Sequence, residues 1–99
     1  MEELLKANIR KNGKQMQMIV AVEELSELQK ELTKNMRGKD NLDALAEEIV
    51  DVEIMIAQLK LMFPEIHGKL NKWRDFKYSL IEARCVDDVA SYAKAKEAE

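Results

Sequence analysis

The sequence predicts an all-α fold, an antiparallel bundle of four to five helices completed by oligomerisation. Three observations carry the helical expectation. Apolar residues recur every three or four positions along most of the chain, the period of a helix rather than of a strand. Three glycines and one proline in 99 residues leave few turns, too few for a many-stranded sheet. Apolar residues make up 46% and charged residues 35%, a balance that fits a folded helical chain rather than a disordered one.

Each element follows in order. Glu2 to Lys11 reads as a short helix with Leu4, Leu5 and Ile9 on its apolar side, closed by the turn signal Asn12-Gly13. A second helix runs from Lys14 to about Asn35, with Met18, Val22, Leu25, Leu28, Leu32 and Met36 as its apolar stripe. Met36 to Asn41 is the next break, and Asp40 or Asn41 is a good N-cap, with Asp43 in the favourable first turn. A third helix spans Leu42 to about Met62. It carries two apolar stripes, one of Leu45, Ile49, Val52, Ile56, Leu59 and Phe63, the other of Val50, Ile54, Ala57 and Leu61. A helix apolar on more than one side is central or lies in a subunit interface. Phe63-Pro64 ends it, since proline disfavours helix at the residue before it. A fourth helix runs from about Pro64 to Arg84 through Ile66, Leu70, Trp73 and Leu80, weakened at Gly68. Val86 to Ala95 forms a last short helix or arm, and the polar tail Lys94 to Glu99 frays.

One domain of 1–99, with a core of about 11–84, accounts for this length. So short a chain buries a modest core, and association would add to it. The net charge of −3 argues against a duplex nucleic-acid binder. The longest apolar-rich stretch, Ile49 to Phe63, contains Asp51, Glu53, Gln58 and Lys60, so no membrane span is expected. A lone cysteine, Cys85, excludes an intrachain disulfide and suits a cytoplasmic protein.

Two acidic clusters stand out, Glu23-Glu24-x-x-Glu27 on the second helix and Glu47-Glu48-x-x-Asp51 on the third. Glu24 and Glu27 share a helix face, as do Glu48 and Asp51, so facing antiparallel helices would converge four carboxylates. Like charges at this spacing each cost a helix roughly 0.2–0.5 kcal/mol. Lys30 and Lys34 offset Glu27 and Glu31 in part, but no base follows Asp51 until Lys60. A hard divalent cation would compensate the rest, and oxygen-only ligands select Mg²⁺, Mn²⁺ or Ca²⁺. The plain alternative is a pair of solvated acidic faces. A di-iron carboxylate site would need a Glu-x-x-His on each of two helices; the single histidine, His67, has Pro64 three residues earlier and reads as a surface residue. Cys85 reads as a packed small apolar residue, with no second histidine to build a nucleophilic constellation. No GxxxxGK(S/T) phosphate loop is present.

The arrangement resembles the EExxE…ExxD signature of the MazG-like, all-α nucleoside triphosphate pyrophosphohydrolases. Gln15-Met16-x-Met18-Ile19-x-x-Val22-Glu23-Glu24-Leu25-Ser26-Glu27-Leu28 looks like the helix that opens that domain, and Leu45-Ala46-Glu47-Glu48-Ile49-Val50-Asp51-Val52 like the helix that faces it. The resemblance covers about Lys11 to Arg84. It implies that Glu24, Glu27, Glu48 and Asp51 bind Mg²⁺, with Mn²⁺ as a substitute. Glu23 matches the first Glu of the motif, which could hold a water, act on the nucleophilic water or face a neighbouring subunit. Lys69, Lys72 and Arg74 lie where the family carries bases that approach the triphosphate. Gln15 is a candidate for base selection; Met18, another, fits core packing better.

The implied reaction is hydrolysis of a (d)NTP to a (d)NMP and pyrophosphate, in the service of nucleotide-pool house-cleaning. The implied assembly is a homo-oligomer, a dimer or a dimer of dimers. The competing expectation is a non-catalytic regulatory or interaction module on the same fold, whose mark would be the loss of one or more ligands.

Overall fold

The computed structural model describes residues 1–85 and 95–98. Among them every regular element is helical. The elements are α1 (Glu2–Asn12), α2 (Lys14–Met36), α3 (Leu42–Met62), a 3₁₀ turn (Pro64–Ile66) and α4 (His67–Arg84). Of the expected terminal arm and tail, residues 95–98 are helical rather than frayed, and 86–94 and 99 lie outside the described residues.

The turn chemistry explains the boundaries. Gly13 takes φ +88° between α1 and α2, a conformation that side-chain-bearing residues avoid, and its N–H donates to Ile9 O at 2.8 Å. Gly38, at φ +93°, closes α2 in a Schellman arrangement: Lys39 N–H donates to Lys34 O and Gly38 N–H to Asn35 O. Asn41 occupies the N-cap position of α3 but does not cap it with its side chain. Its Nδ2 turns back to α2 and donates to Glu31 O at 2.9 Å and Glu31 Oε2 at 2.6 Å. At Phe63-Pro64 the chain leaves the α-helix, and Pro64 starts a 3₁₀ turn. The expected fourth helix is therefore a 3₁₀ turn followed by α4 from His67, and Gly68 is accommodated in its first turn.

The chain forms two compact units, residues 1–64 and 65–99. The first holds α1, α2 and α3, with α2 and α3 the most extensively packed pair and α1 laid against both. Contacts from Glu31 to Asn41 and from Gln17 to Gln58 make α2 and α3 antiparallel. The second holds α4, where Trp73 meets Phe76 edge to face with centroids 5.9 Å apart.

The packed face of α2 differs from the expected one. Gln17 and Ala21 are buried and Glu24, Leu28 and Glu31 half-buried, whereas Met18, Val22, Leu25, Leu32 and Met36 are exposed. Met18 is thus not a core residue. Both sets step at three and four residues, so periodicity alone does not choose between faces offset by about one position. The side facing α3 is the one that carries matching polar partners. On α3 the buried residues are Val52, Met55, Gln58 and Met62. From the expected stripes, Ile49, Val50, Ile54 and Ile56 remain exposed. No helix among the described residues is long and apolar enough to cross a membrane.

Polar rungs cross the α2–α3 seam at heptad intervals. Gln17, Glu24 and Glu31 fall seven residues apart on α2. Opposite them stand Gln58, then Glu48 with Asp51, then Asn41. At one end Gln58 Nε2 donates to Gln17 Oε1 at 2.9 Å, and Asn8 Nδ2 from α1 donates to Gln17 Oε1 at 3.1 Å and Gln58 Oε1 at 2.8 Å. At the other end is the Asn41–Glu31 contact. Apolar residues, chiefly Ala21, Leu28, Val52 and Met55, fill the space between.

Candidate metal centre

The middle rung is built from Glu24 on α2 and from Glu48 and Asp51, one turn apart, on α3. One carboxylate oxygen from each lies within 4.8 Å of the other two, and all three residues are half-buried. Among the described residues this is the one cluster of three potential metal-ligating side chains with that closeness. Glu48 is half-exposed as a residue, yet its Oε2 is buried and has no hydrogen-bond partner.

The electrostatics agree with the geometry. Partial burial, then the charges of Asp51 and Glu48, push the Glu24 carboxyl above the usual glutamate range. Glu48 is likewise raised, first by partial burial and then by Asp51, with Glu27 and Glu47 adding to the effect. Three carboxylates this close need positive charge among them, a proton or a cation.

The donor set fits a divalent cation. It is all oxygen, which suits hard ions such as Mg²⁺ and Mn²⁺, and the unpartnered Glu48 Oε2 is an acceptor with nothing else to bind.

Of the four expected ligands, the structure gathers Glu24, Glu48 and Asp51. Glu27 stands outside that group; its Oε1 accepts from Lys30 Nζ at 3.2 Å. Glu23 is exposed on α2, and Gln15 is exposed in the first turn of the same helix. Lys69, Lys72 and Arg74 are exposed on α4; there the Lys72 ammonium sits 5.7 Å from the Trp73 ring centroid and Arg74 donates to Asn71 at 3.0 Å. His67 is exposed and Cys85 half-buried.

Sequence reasoning missed the residues that hold the rung in register: Asn8, Gln17, Glu31, Asn41 and Gln58. A signal for them existed. Gln17, Glu24 and Glu31 repeat at seven residues, as do Asn41 with Glu48 and Asp51 with Gln58. Heptad-spaced polar residues mark a packed seam with a fixed register. Comparison with models of known families, with curated proteins and with solved structures finds no match to this chain.

Proposed function

We propose that this protein is a divalent-cation-dependent nucleoside triphosphate pyrophosphohydrolase that converts a (d)NTP to a (d)NMP and pyrophosphate. The observation that carries this reading is the half-buried rung of Glu24, Glu48 and Asp51, with one buried carboxylate oxygen lacking any partner. The resemblance to the MazG-like signature implies Mg²⁺ ligation by these three residues together with Glu27.

In this reading Glu24, Glu48 and Asp51 hold Mg²⁺ or Mn²⁺ between α2 and α3, with Glu27 as a fourth ligand. A cation bound there supplies Lewis acidity at the α-phosphoryl group and lowers the pKa of a bound water. The helices contribute rigidity, because carboxylates on packed helices are positioned without an ordering cost at each turnover. Glu23 orients water at the rim. Gln15 contributes to base selection.

The exposed apolar residues of α2 and α3 favour a homo-oligomer, a dimer or a dimer of dimers, in the cytoplasm. Contiguous apolar surface on a helical unit this small is ordinarily covered by a partner, and a symmetric copy is the commonest one.

The deciding experiment is pyrophosphate release across a panel of dNTPs and NTPs with Mg²⁺, with products resolved by chromatography. A monophosphate and pyrophosphate are expected. A diphosphate with orthophosphate would place attack at the γ position and overturn the assignment. No turnover across the panel would favour a non-catalytic module.

A further inference from the structure

We propose that the groove between α1 and the outer side of α3 receives α3 of a second copy of this chain. The two helices run antiparallel about a twofold axis between Ile56 and Ala57, with Glu53 of each copy against Lys60 of the partner subunit. The inference rests on the homo-oligomer reading given above and names the face and the partner segment.

The groove is lined by Leu5 of α1 and by Glu53, Ile56, Ala57, Lys60 and Leu61 of α3. Glu53, Ile56, Ala57 and Lys60 step at three, four and seven residues, on the side of α3 turned away from the buried Val52, Met55, Gln58 and Met62. Lys60 is half-buried among these apolar side chains, yet neither it nor Glu53 makes an ion pair among the described residues. Glu53 and Lys60 lie roughly 10 Å apart along their own helix, too far to pair with each other. Glu2, at the mouth of the groove, is already taken by Lys6 at 3.7 Å. A base partly withdrawn from water in an apolar groove calls for a counter-charge from outside.

A second copy of this same face supplies that charge. An isologous contact brings one patch against itself, so the patch must be complementary to its own image. An acid and a base on either side of an apolar centre meet that condition in the antiparallel orientation alone; a parallel pair would set Glu53 against Glu53 and Lys60 against Lys60. Charges flanking an apolar seam fix helix orientation in this way. In the same register Ile56 faces Ala57 of the partner subunit, large against small, and Val50, 53% exposed, meets Phe63 of the partner subunit. Leu5 extends the contact beyond a single helix pair.

The test is sedimentation equilibrium of the full chain and of Glu53→Lys, Lys60→Glu and the double reversal, with circular dichroism as the check on folding. Each single reversal sets two like-charged pairs in the contact and should weaken self-association by at least about tenfold. The double reversal should restore it. An equimolar mixture of the two single variants should associate as a heterodimer, because both pairs are then again of opposite charge. Glu53→Gln, a milder change that keeps the side chain's shape, should weaken self-association about threefold and carries the test if a reversal fails to fold. Single variants that associate like the original chain, or a mixture that associates no better than its components, would overturn this pairing while leaving the homo-oligomer in place. An original chain that is monomeric at high micromolar concentration would overturn both.

Discussion

Gln58 and Gln17, 41 positions apart in the chain, are joined by a 2.9 Å hydrogen bond inside the α1–α2–α3 unit. Gln58 is completely buried, and Gln17 nearly so. Each lies seven residues, roughly 10 Å along its helix, from a carboxylate of the middle rung. At the other side of that rung, Asn41 and Glu31 form a second clamp at the same spacing. A slip of α2 against α3 by one turn would break both clamps and leave buried carboxamides unpaired, so the two clamps fix the register that brings Glu24 opposite Glu48 and Asp51.

Gln58→Ala should therefore destabilise the fold by about 2–4 kcal/mol, through a cavity and the loss of hydrogen bonds at a buried site. Replacing Gln17 and Gln58 together by leucine should cost much less, because no buried carboxamide is left unpaired and the exposed Asn8 can turn to water. Urea denaturation of both variants checks this. A double-leucine protein less stable than Gln58→Ala would show that the amides contribute more than register.

The pH dependence of the upper clamp has a definite sign. The Asn41 amide, then Lys34, hold the Glu31 carboxyl below the ordinary glutamate range. A depressed acid contributes stability that is present above its unfolded value, about 4.3, and is lost as pH falls through its lower folded value. Asn41→Ala removes the largest cause. The stability gap between the original chain and Asn41→Ala should be widest near neutral pH and narrow in acid. A gap that is constant from pH 7 to pH 3 would mean that Asn41 acts only as a loop anchor.

Much of this was legible in the sequence, and the misses share a cause. The boundaries of α1, α2 and α3 followed from Gly13, Gly38 and Pro64, whose backbone preferences act locally. Of the acidic rung, the Glu48–Asp51 pair followed from its three-residue spacing, but the same spacing on α2 did not show that Glu24 joins them and Glu27 does not. The inward face of α2 did not, because Met18 and Gln17 are adjacent and hydropathy favours methionine for the core. The structure buries Gln17 because Gln58 and Asn8 satisfy its oxygen, a condition set by residues remote in sequence. Asn41 shows the same thing: its type predicts a side-chain cap, but its Nδ2 donates to Glu31 and its Oδ1, the capping atom, accepts from Asn35 Nδ2 at 3.2 Å.

At the metal centre, stability and function should part. Glu24 and Glu48 have raised pKa values, so their contribution is present below about pH 4.3 and is lost as pH rises through their folded values. At neutral pH in EDTA, Glu48→Gln should raise Tm by relieving repulsion. With Mg²⁺ the order should reverse, because a ligand at a hundredfold excess over its Kd stabilises the folded chain by about 2.7 kcal/mol, and the variant forfeits that gain. Pyrophosphate release should fall by more than about a hundredfold, since loss of a direct ligand exceeds the effect of an outer one. A Tm indifferent to both Mg²⁺ and EDTA in the original chain would count against the site.

The apolar surface of α2 and α3 leads to a prediction about assembly. Val22, Leu25, Val50 and Ile54 are 67%, 48%, 53% and 42% exposed. Ile56, Ala57 and Leu61 on α3 line an open groove with Leu5 of α1. The packed seam is filled by the polar rungs with Ala21, Val52, Met55 and Met62, so Val22, Leu25, Val50 and Ile54 are left to the outside. Each such side chain fully buried in a symmetric contact contributes about 1.5–3 kcal/mol. Ile54→Glu would bury a charge in that contact twice per dimer, once from each copy. It should raise the dissociation constant by at least about thirtyfold while leaving helix content unchanged, and activity should fall in step with assembly. Thr33→Glu, on the exposed polar face of α2, serves as the control and should change neither. Light scattering at micromolar concentration reads the outcome directly: an original chain that is monomeric and fully active would show that these side chains face solvent and that the metal centre is complete within one copy.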